Sequence, residues 1–171
     1  MINLQDYIRD IQDFPKPGVL FKDITPLLGD KAAYMECLKQ LLEKVGDQQI
    51  DKVVGIDARG FFFGTLLAQA LGAGFVPVRK AGKLPFSTHK EPYSLEYGMD
   101  ALEIHEDAIL PGERILIHDD VLATGGTARA ACNLVKKCGG EVVQCNFIMQ
   151  LNFLNGKDKL SQYDIKALLE Y

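Results

Sequence analysis

The run Ile115 to Arg129, ILIHDDVLATGGTAR, constrains this 171-residue chain more than any other. An apolar strand, Arg114 to His118, leads into two acids, Asp119 and Asp120. A loop of small residues follows, Ala123 to Thr127, and then a helix over Gly126 to Cys138 that Gly139 and Gly140 stop. In open α/β sheets, ligands bind beyond the carboxyl ends of strands, and a helix start offers unpaired backbone amides to an anion. Thr124 and Thr127 add hydroxyl donors, while Gly125 and Gly126 let the backbone approach closely. Hydrogen bonds to a charged group contribute roughly 1.5 to 3 kcal/mol each, so several of them outweigh an unfavourable average charge. A phosphate site is therefore expected at Ala123, Thr124, Gly125, Gly126 and Thr127. Asp119 and Asp120 would repel that phosphate, so they are expected to serve sugar hydroxyls, directly or through a divalent ion.

The rest of the chain repeats the strand–helix–strand rhythm. Lys52 to Ile56 reads as a strand, Gly60 to Leu71 as a helix, Phe75 to Arg79 as a strand, and Glu141 to Leu151 as a long strand. Phe61, Phe62 and Phe63 make the start of the first crossover helix apolar on most sides, which buries it against a parallel sheet. Asp30 is placed to cap a helix carrying Tyr34, Met35, Leu38, Leu41, Leu42 and Val45 at helical spacing. Asn3 is placed to cap a first helix running to about Asp13, ended by FPKPG, with an irregular segment from Phe14 to Leu28. Lys80 to Asp107 breaks the rhythm and reads as a long mobile excursion, within which YSLEY and ALEIH could pair as a small ribbon.

The net charge of −4 argues against a broad nucleic-acid footprint. The N-terminus interrupts its apolar residues with charges, unlike a signal peptide or membrane span, so a cytoplasmic location is expected. Cys37, Cys132, Cys138 and Cys145 lack metal-ligand spacing and read as buried thiols.

FPKPGVLFKDITPLL, GIDARGFFFG, VRKAGKLP, YSLEYG and DDVLATGGT occur in the order and spacing of one family, over nearly the whole chain. The chain resembles the type I phosphoribosyltransferases, and among them the members that take adenine. The resemblance implies an α/β fold: a central, mostly parallel sheet flanked by helices, with a small N-terminal hood and a flexible catalytic loop. It implies one domain over residues 1–171 and a homodimer. The implied reaction joins adenine to phosphoribosyl pyrophosphate with Mg²⁺, giving AMP and pyrophosphate in purine salvage.

Residue roles follow from the same resemblance. Asp57, Ala58 and Arg59 become the pyrophosphate loop, with a cis bond between Asp57 and Ala58. A guanidinium just past a strand end can bridge two pyrophosphate oxygens, and the lesser alternative for Arg59 is a surface ion pair. Arg79, Lys80 and Lys83, by themselves a solvated basic run, are implied to bind pyrophosphate and to reach across a dimer interface. Leu20, Phe21 and Lys22 are implied to bind adenine, Phe21 by stacking and its neighbours through peptide groups that tell an amino from an oxo purine. Phe21 alone reads as core packing, and Lys22 stands where the family has arginine. Glu96, otherwise a solvated charge, is implied to be the acid–base residue beside the carboxylates Asp119 and Asp120. His118 reads as structural. Mg²⁺ is expected to arrive on the donor, held by its oxygens and by water rather than by a protein cage.

Other classes fit less well. A nucleoside triphosphatase needs GxxxxGK[ST] and a dinucleotide-binding dehydrogenase needs GxGxxG, and neither occurs. A transferase for another base would share the phosphate loop but not the early FPKPGVLFKDI segment. A non-catalytic regulator that senses the ribose donor would need a nucleic-acid module or a basic face.

Overall fold

The structure is a computed structural model, and it describes residues 2–94 and 99–171. It begins with a correction. The helix expected from Asn3 to Asp13 is a single 3-10 turn, Leu4–Tyr7, capped by the Asn3 side chain accepting from the Gln5 amide. Beyond it the chain is extended: β1 (Arg9–Ile11) pairs antiparallel with β2 (Phe21–Asp23). Asp13 at φ 55° accepts from the Gly18 amide at 2.7 Å and turns the chain back on itself. That turn gives the backbone groups of Arg9–Ile11 a partner strand in place of helical bonds. The segment expected to be irregular thus holds β2 and a short helix, α1 (Thr25–Gly29).

Asp30 caps α2 (Lys31–Val45) as expected, accepting from the amides of Ala32 and Ala33 at 2.9 Å. The buried stripe is Ala33, Cys37, Leu41 and Val45; Met35 faces outward, 61% exposed. The next unit follows its expected bounds closely: β3 (Lys52–Ile56), α3 (Gly60–Leu71) and β4 (Gly74–Lys80). Of its three phenylalanines, Phe63 is fully buried and Phe62 is 44% exposed, because adjacent helical residues point about 100° apart.

The ribbon expected in the excursion after β4 is present, with another register: β5 (Thr88–Ser94) pairs antiparallel with β6 (Met99–His105), setting Ala101–His105 against Thr88–Pro92, and β6 joins the edge of the main sheet beside β4. The last unit is β7 (Arg114–Leu122), α4 (Gly126–Lys137) and β8 (Glu141–Gln150). Two 3-10 turns, Asn152–Leu154 and Gly156–Leu160, then lead to β9 (Ile165–Glu170). β7 outruns its expected end, so Asp119 and Asp120 lie inside the strand, with Asp119 opposite Phe147 of β8.

The described residues form a seven-stranded sheet in the order β5-β6-β4-β3-β7-β8-β9, parallel from β4 to β9 and antiparallel across the hairpin. α4 covers one face with Ile115, Ile117 and Phe147 in the core, and α2 and α3 cover the other with Leu116, Phe63 and Ile148. Burying each of these large side chains contributes roughly 1.5 to 3 kcal/mol, which holds the carboxyl ends of the central strands in register.

Candidate active site

β3 and β7 are parallel neighbours, so the loops that leave their carboxyl ends emerge side by side. Between them lies a cleft of about 340 Å³. Its lining includes Asp57, Ala58 and Arg59 after β3, Asp119 and Asp120 at the end of β7, and the whole of Ala123, Thr124, Gly125, Gly126 and Thr127. Lys80, Tyr93 and Ser94 close the side toward the hairpin. The Asp57–Ala58 bond is cis, as the resemblance implied.

Gly125 caps α4 at φ 77° and makes no side-chain cap, so the first amides of the helix remain open to a ligand. Gly125 also rests on the backbone of Gly156: a Cβ added to it would lie 2.5 Å from the Gly156 carbonyl oxygen. A Cβ on Gly156 would strike the Ala123 carbonyl in turn. The loop from Ala123 to Thr127 therefore sits directly on the turn after β8, and Arg129 Nη1 ties the two together by donating to the Lys159 carbonyl at 2.8 Å.

The cations of the site are paired with carboxylates. Arg59 Nη1 lies 3.1 Å from Asp120 Oδ2, Lys80 Nζ lies 3.4 Å from Asp100 Oδ2, and Arg79 and Lys83 share Asp57 Oδ2 at 3.2 and 3.1 Å. Burial alone would raise the Asp57 carboxyl, but the hydrogen bond from Lys83 and the charges of Arg79 and Lys83 hold it below its usual range. Asp119 and Asp120 behave the other way. Burial raises both; Asp120's charge raises Asp119 further, while Arg59 opposes the rise in Asp120. Asp119 Oδ1 accepts from the Asp120 amide at 2.9 Å, which fixes the pair at the strand end.

A second cavity of about 550 Å³ adjoins the first and shares Ser94 and Thr124 with it. Its walls are mainly apolar: Val19, Leu20, Leu151, Phe153 and Leu154, with Lys159 at the rim. Such a pocket suits a flat heterocycle more than an ion.

Of the residues read as adenine ligands, Leu20 lines this second cavity. Phe21 instead lies beneath Arg59, whose guanidinium carbon is 5.0 Å from the ring centre, and meets Phe14 edge-on. The Lys22 side chain turns away, to Asp10 at 2.6 Å and to the Tyr171 ring at 3.8 Å. Arg79 and Lys83 are not in the lining of the cleft but pair with Asp57, which is. Glu96 lies outside the described residues. Sequence reasoning missed Tyr93, Ser94, Phe153, Leu154 and Lys159. The signal available for two of them was a pair of large apolar residues just past a strand end, 67% and 37% exposed in Phe153 and Leu154.

His118, next to the carboxylates, is fully buried and bonds Asn146 Oδ1 through Nδ1 at 2.7 Å. It faces Phe63 and not the cleft, in keeping with a structural role.

A strand-end acid pair, an open helix start and a cation-bearing loop on the neighbouring strand are the parts of a phosphoribosyl-transfer site. The family model described as "Phosphoribosyl transferase domain" matches residues 23–166, and the chain belongs to that family. Within it, the chain groups with the adenine phosphoribosyltransferases. The enzyme of that name from Christiangramia forsetii is 61% identical over 170 residues, 99% of each chain. The crystal structure of adenine phosphoribosyltransferase from Thermoanaerobacter pseudethanolicus superposes with a TM-score of 0.96 at 49% identity, covering 98% of each chain. That of the Saccharomyces cerevisiae enzyme, solved with adenine and an imino-altritol bisphosphate, gives 0.91 at 41% identity over 96% of each.

Proposed function

We infer that the chain transfers a 5-phosphoribosyl group from phosphoribosyl pyrophosphate to adenine, forming AMP and releasing pyrophosphate. One observation carries this reading: an anion-binding cleft with paired carboxylates opens onto an apolar cavity, and the two share Ser94 and Thr124. A sugar phosphate fills the first and a purine the second, so the new bond forms at their border.

In this reading the 5′-phosphate sits on the amides and hydroxyls of Ala123 to Thr127. Asp119 and Asp120 accept from the ribose 2′ and 3′ hydroxyls, and their charge steadies the oxocarbenium-like transition state as the bond from the anomeric carbon to pyrophosphate breaks. Pyrophosphate leaves with the bonding electrons. The cis loop of Asp57 and Ala58 lies beneath it, and Arg59, Arg79, Lys80 and Lys83 exchange their carboxylate partners for its oxygens. A ring nitrogen of adenine attacks the same carbon and loses its proton to the Glu96 carboxylate. Leu20 and Val19 press on the base from one side and Phe153 and Leu154 from the other. Phe21 acts through Arg59, and Lys22 through its main chain.

Mg²⁺ fits this site as a companion of the donor. Magnesium prefers hard oxygen ligands and keeps several waters, and the cleft offers two carboxylates, with Asp120 Oδ2 ion-paired to Arg59 but accepting no hydrogen bond among the described residues. When bound, the cation neutralises the leaving pyrophosphate.

Leu20 and Lys159 line one cavity from distant parts of the sequence, which supports treating residues 1–171 as one catalytic domain. The resemblance to the family supports a homodimer, and four buried free thiols support a reducing cytoplasm. No helix among the described residues is long and apolar enough to cross a membrane.

The test incubates the protein with phosphoribosyl pyrophosphate, Mg²⁺ and each purine base in turn. AMP from adenine is the expected product. Faster turnover of another base, or donor binding without turnover, would overturn the reading.

A further inference from the structure

Asp100 stands opposite Tyr93 in the β5–β6 ladder, one pair in from Ser94 and Met99. Its Oδ2 accepts from the Tyr93 hydroxyl at 3.1 Å and faces Lys80 Nζ at 3.4 Å, while its Oδ1 accepts from the Ala101 amide at 2.8 Å. Tyr93 and Lys80 both line the cleft, and Asp100 does not. One carboxylate behind the wall therefore holds two of the side chains that form it.

The ion pair is open to solvent, with the Lys80 side chain 54% and the Asp100 side chain 28% exposed. Exposed pairs are weak, and a pyrophosphate with several charged oxygens is the stronger partner for an ammonium. We propose that Asp100 is a positioning residue that holds Lys80 beside the cleft in competition with the donor's pyrophosphate, releasing it when the donor arrives. This rests on Lys80 being a pyrophosphate ligand.

Asp100→Asn separates the two bonds. The amide oxygen keeps the Ala101 contact, and the amide nitrogen can still donate to the Tyr93 hydroxyl, but the carboxylate charge that faces Lys80 is gone. Calorimetric titration with phosphoribosyl pyrophosphate and Mg²⁺ should show donor Kd falling by about two- to fivefold, the size expected for losing one exposed ion pair. That gain should shrink as salt is raised, and KM for adenine should stay unchanged. Lys80→Ala should weaken donor binding, and adding Asp100→Asn to it should change nothing further. Tyr93→Phe, which keeps the ion pair, should not tighten donor binding.

Two outcomes are decisive against the proposal, and they differ. Unchanged donor binding by Lys80→Ala removes Lys80 from the pyrophosphate site, and the proposal falls with it. Weakened binding by Lys80→Ala, with the same Asp100→Asn effect in both backgrounds, leaves Lys80 its role and shows that Asp100 acts on hairpin shape alone.

Discussion

Arg59 Nη1 lies 3.1 Å from Asp120 Oδ2 while the same guanidinium spreads over the Phe21 ring, its carbon 5.0 Å from the ring centre. One side chain thus links the loop after β3, the acid pair on β7 and the N-terminal hood. Asp120 is only 2% exposed, so its charge depends on this partner. On the proposed reading, pyrophosphate would draw the guanidinium away and so uncover both the acid and the aromatic ring.

Replacing Arg59 with alanine should weaken binding of phosphoribosyl pyrophosphate by about 10- to 150-fold, the equivalent of one charge-assisted hydrogen bond. The melting temperature should drop as well, because Asp120 is left buried and unpaired. Calorimetric titration and a thermal melt check the two effects separately. Unaltered donor affinity would return Arg59 to the status of a surface ion pair.

Glu96→Gln and Asp120→Asn should fail in different ways. Loss of an acid–base group lowers kcat, here by about 100-fold, with donor Kd essentially retained. Asp120→Asn should weaken donor binding and turnover together, because on the proposed reading that carboxylate holds the ribose in both the ground and transition states. Full-speed catalysis by Glu96→Gln would show that adenine loses its proton elsewhere.

The contact between Gly125 and Gly156 predicts that Gly156→Ala raises the KM for phosphoribosyl pyrophosphate more than the KM for adenine. The added methyl meets the Ala123 carbonyl and lifts the phosphate loop from its seat. Steady-state kinetics with each substrate varied in turn gives the answer, and equal changes in both KM values would refute the localised displacement.

His118 makes stability depend on pH. Burial pushes its imidazole from the ordinary 6.5 down to about 4, with the hydrogen bonds involving Asn146 opposing the shift. Below pH 6.5 the unfolded chain gains a proton that the folded chain refuses, so stability falls with pH down to about 4. At pH 5 the loss attributable to this group is about 2 kcal/mol. Urea unfolding at pH 7 and pH 5 should show that component in the native protein and not in His118→Val. The same pH slope in both would place the effect on other groups.

Much of the central architecture was legible because it is local. The apolar runs and caps around β3, α3, α4 and β8 mark their own ends, and the small residues of the phosphate loop announce a close backbone approach. What escaped depends on partners far away in the chain. Nothing near Arg9–Ile11 reveals that Asp13 folds β2 back onto it. Asp119 and Asp120 look like the start of a loop, yet pairing with β8 continues past them. Pro92 lies within β5, which is tolerated because β5 is the edge of the sheet, where a missing donor costs no ladder bond. Phe153, Leu154 and Lys159 are ordinary turn residues until the fold sets them against Leu20.

Because Ser94 and Thr124 belong to both cavities, a single molecule could occupy them together. A purine tethered through a cationic five-membered ring to a phosphate would lose its freedom of motion once instead of twice, and so should bind far more tightly than its halves. The angle at which the two chambers meet, more than the shape of either, would then dictate the tether of an inhibitor.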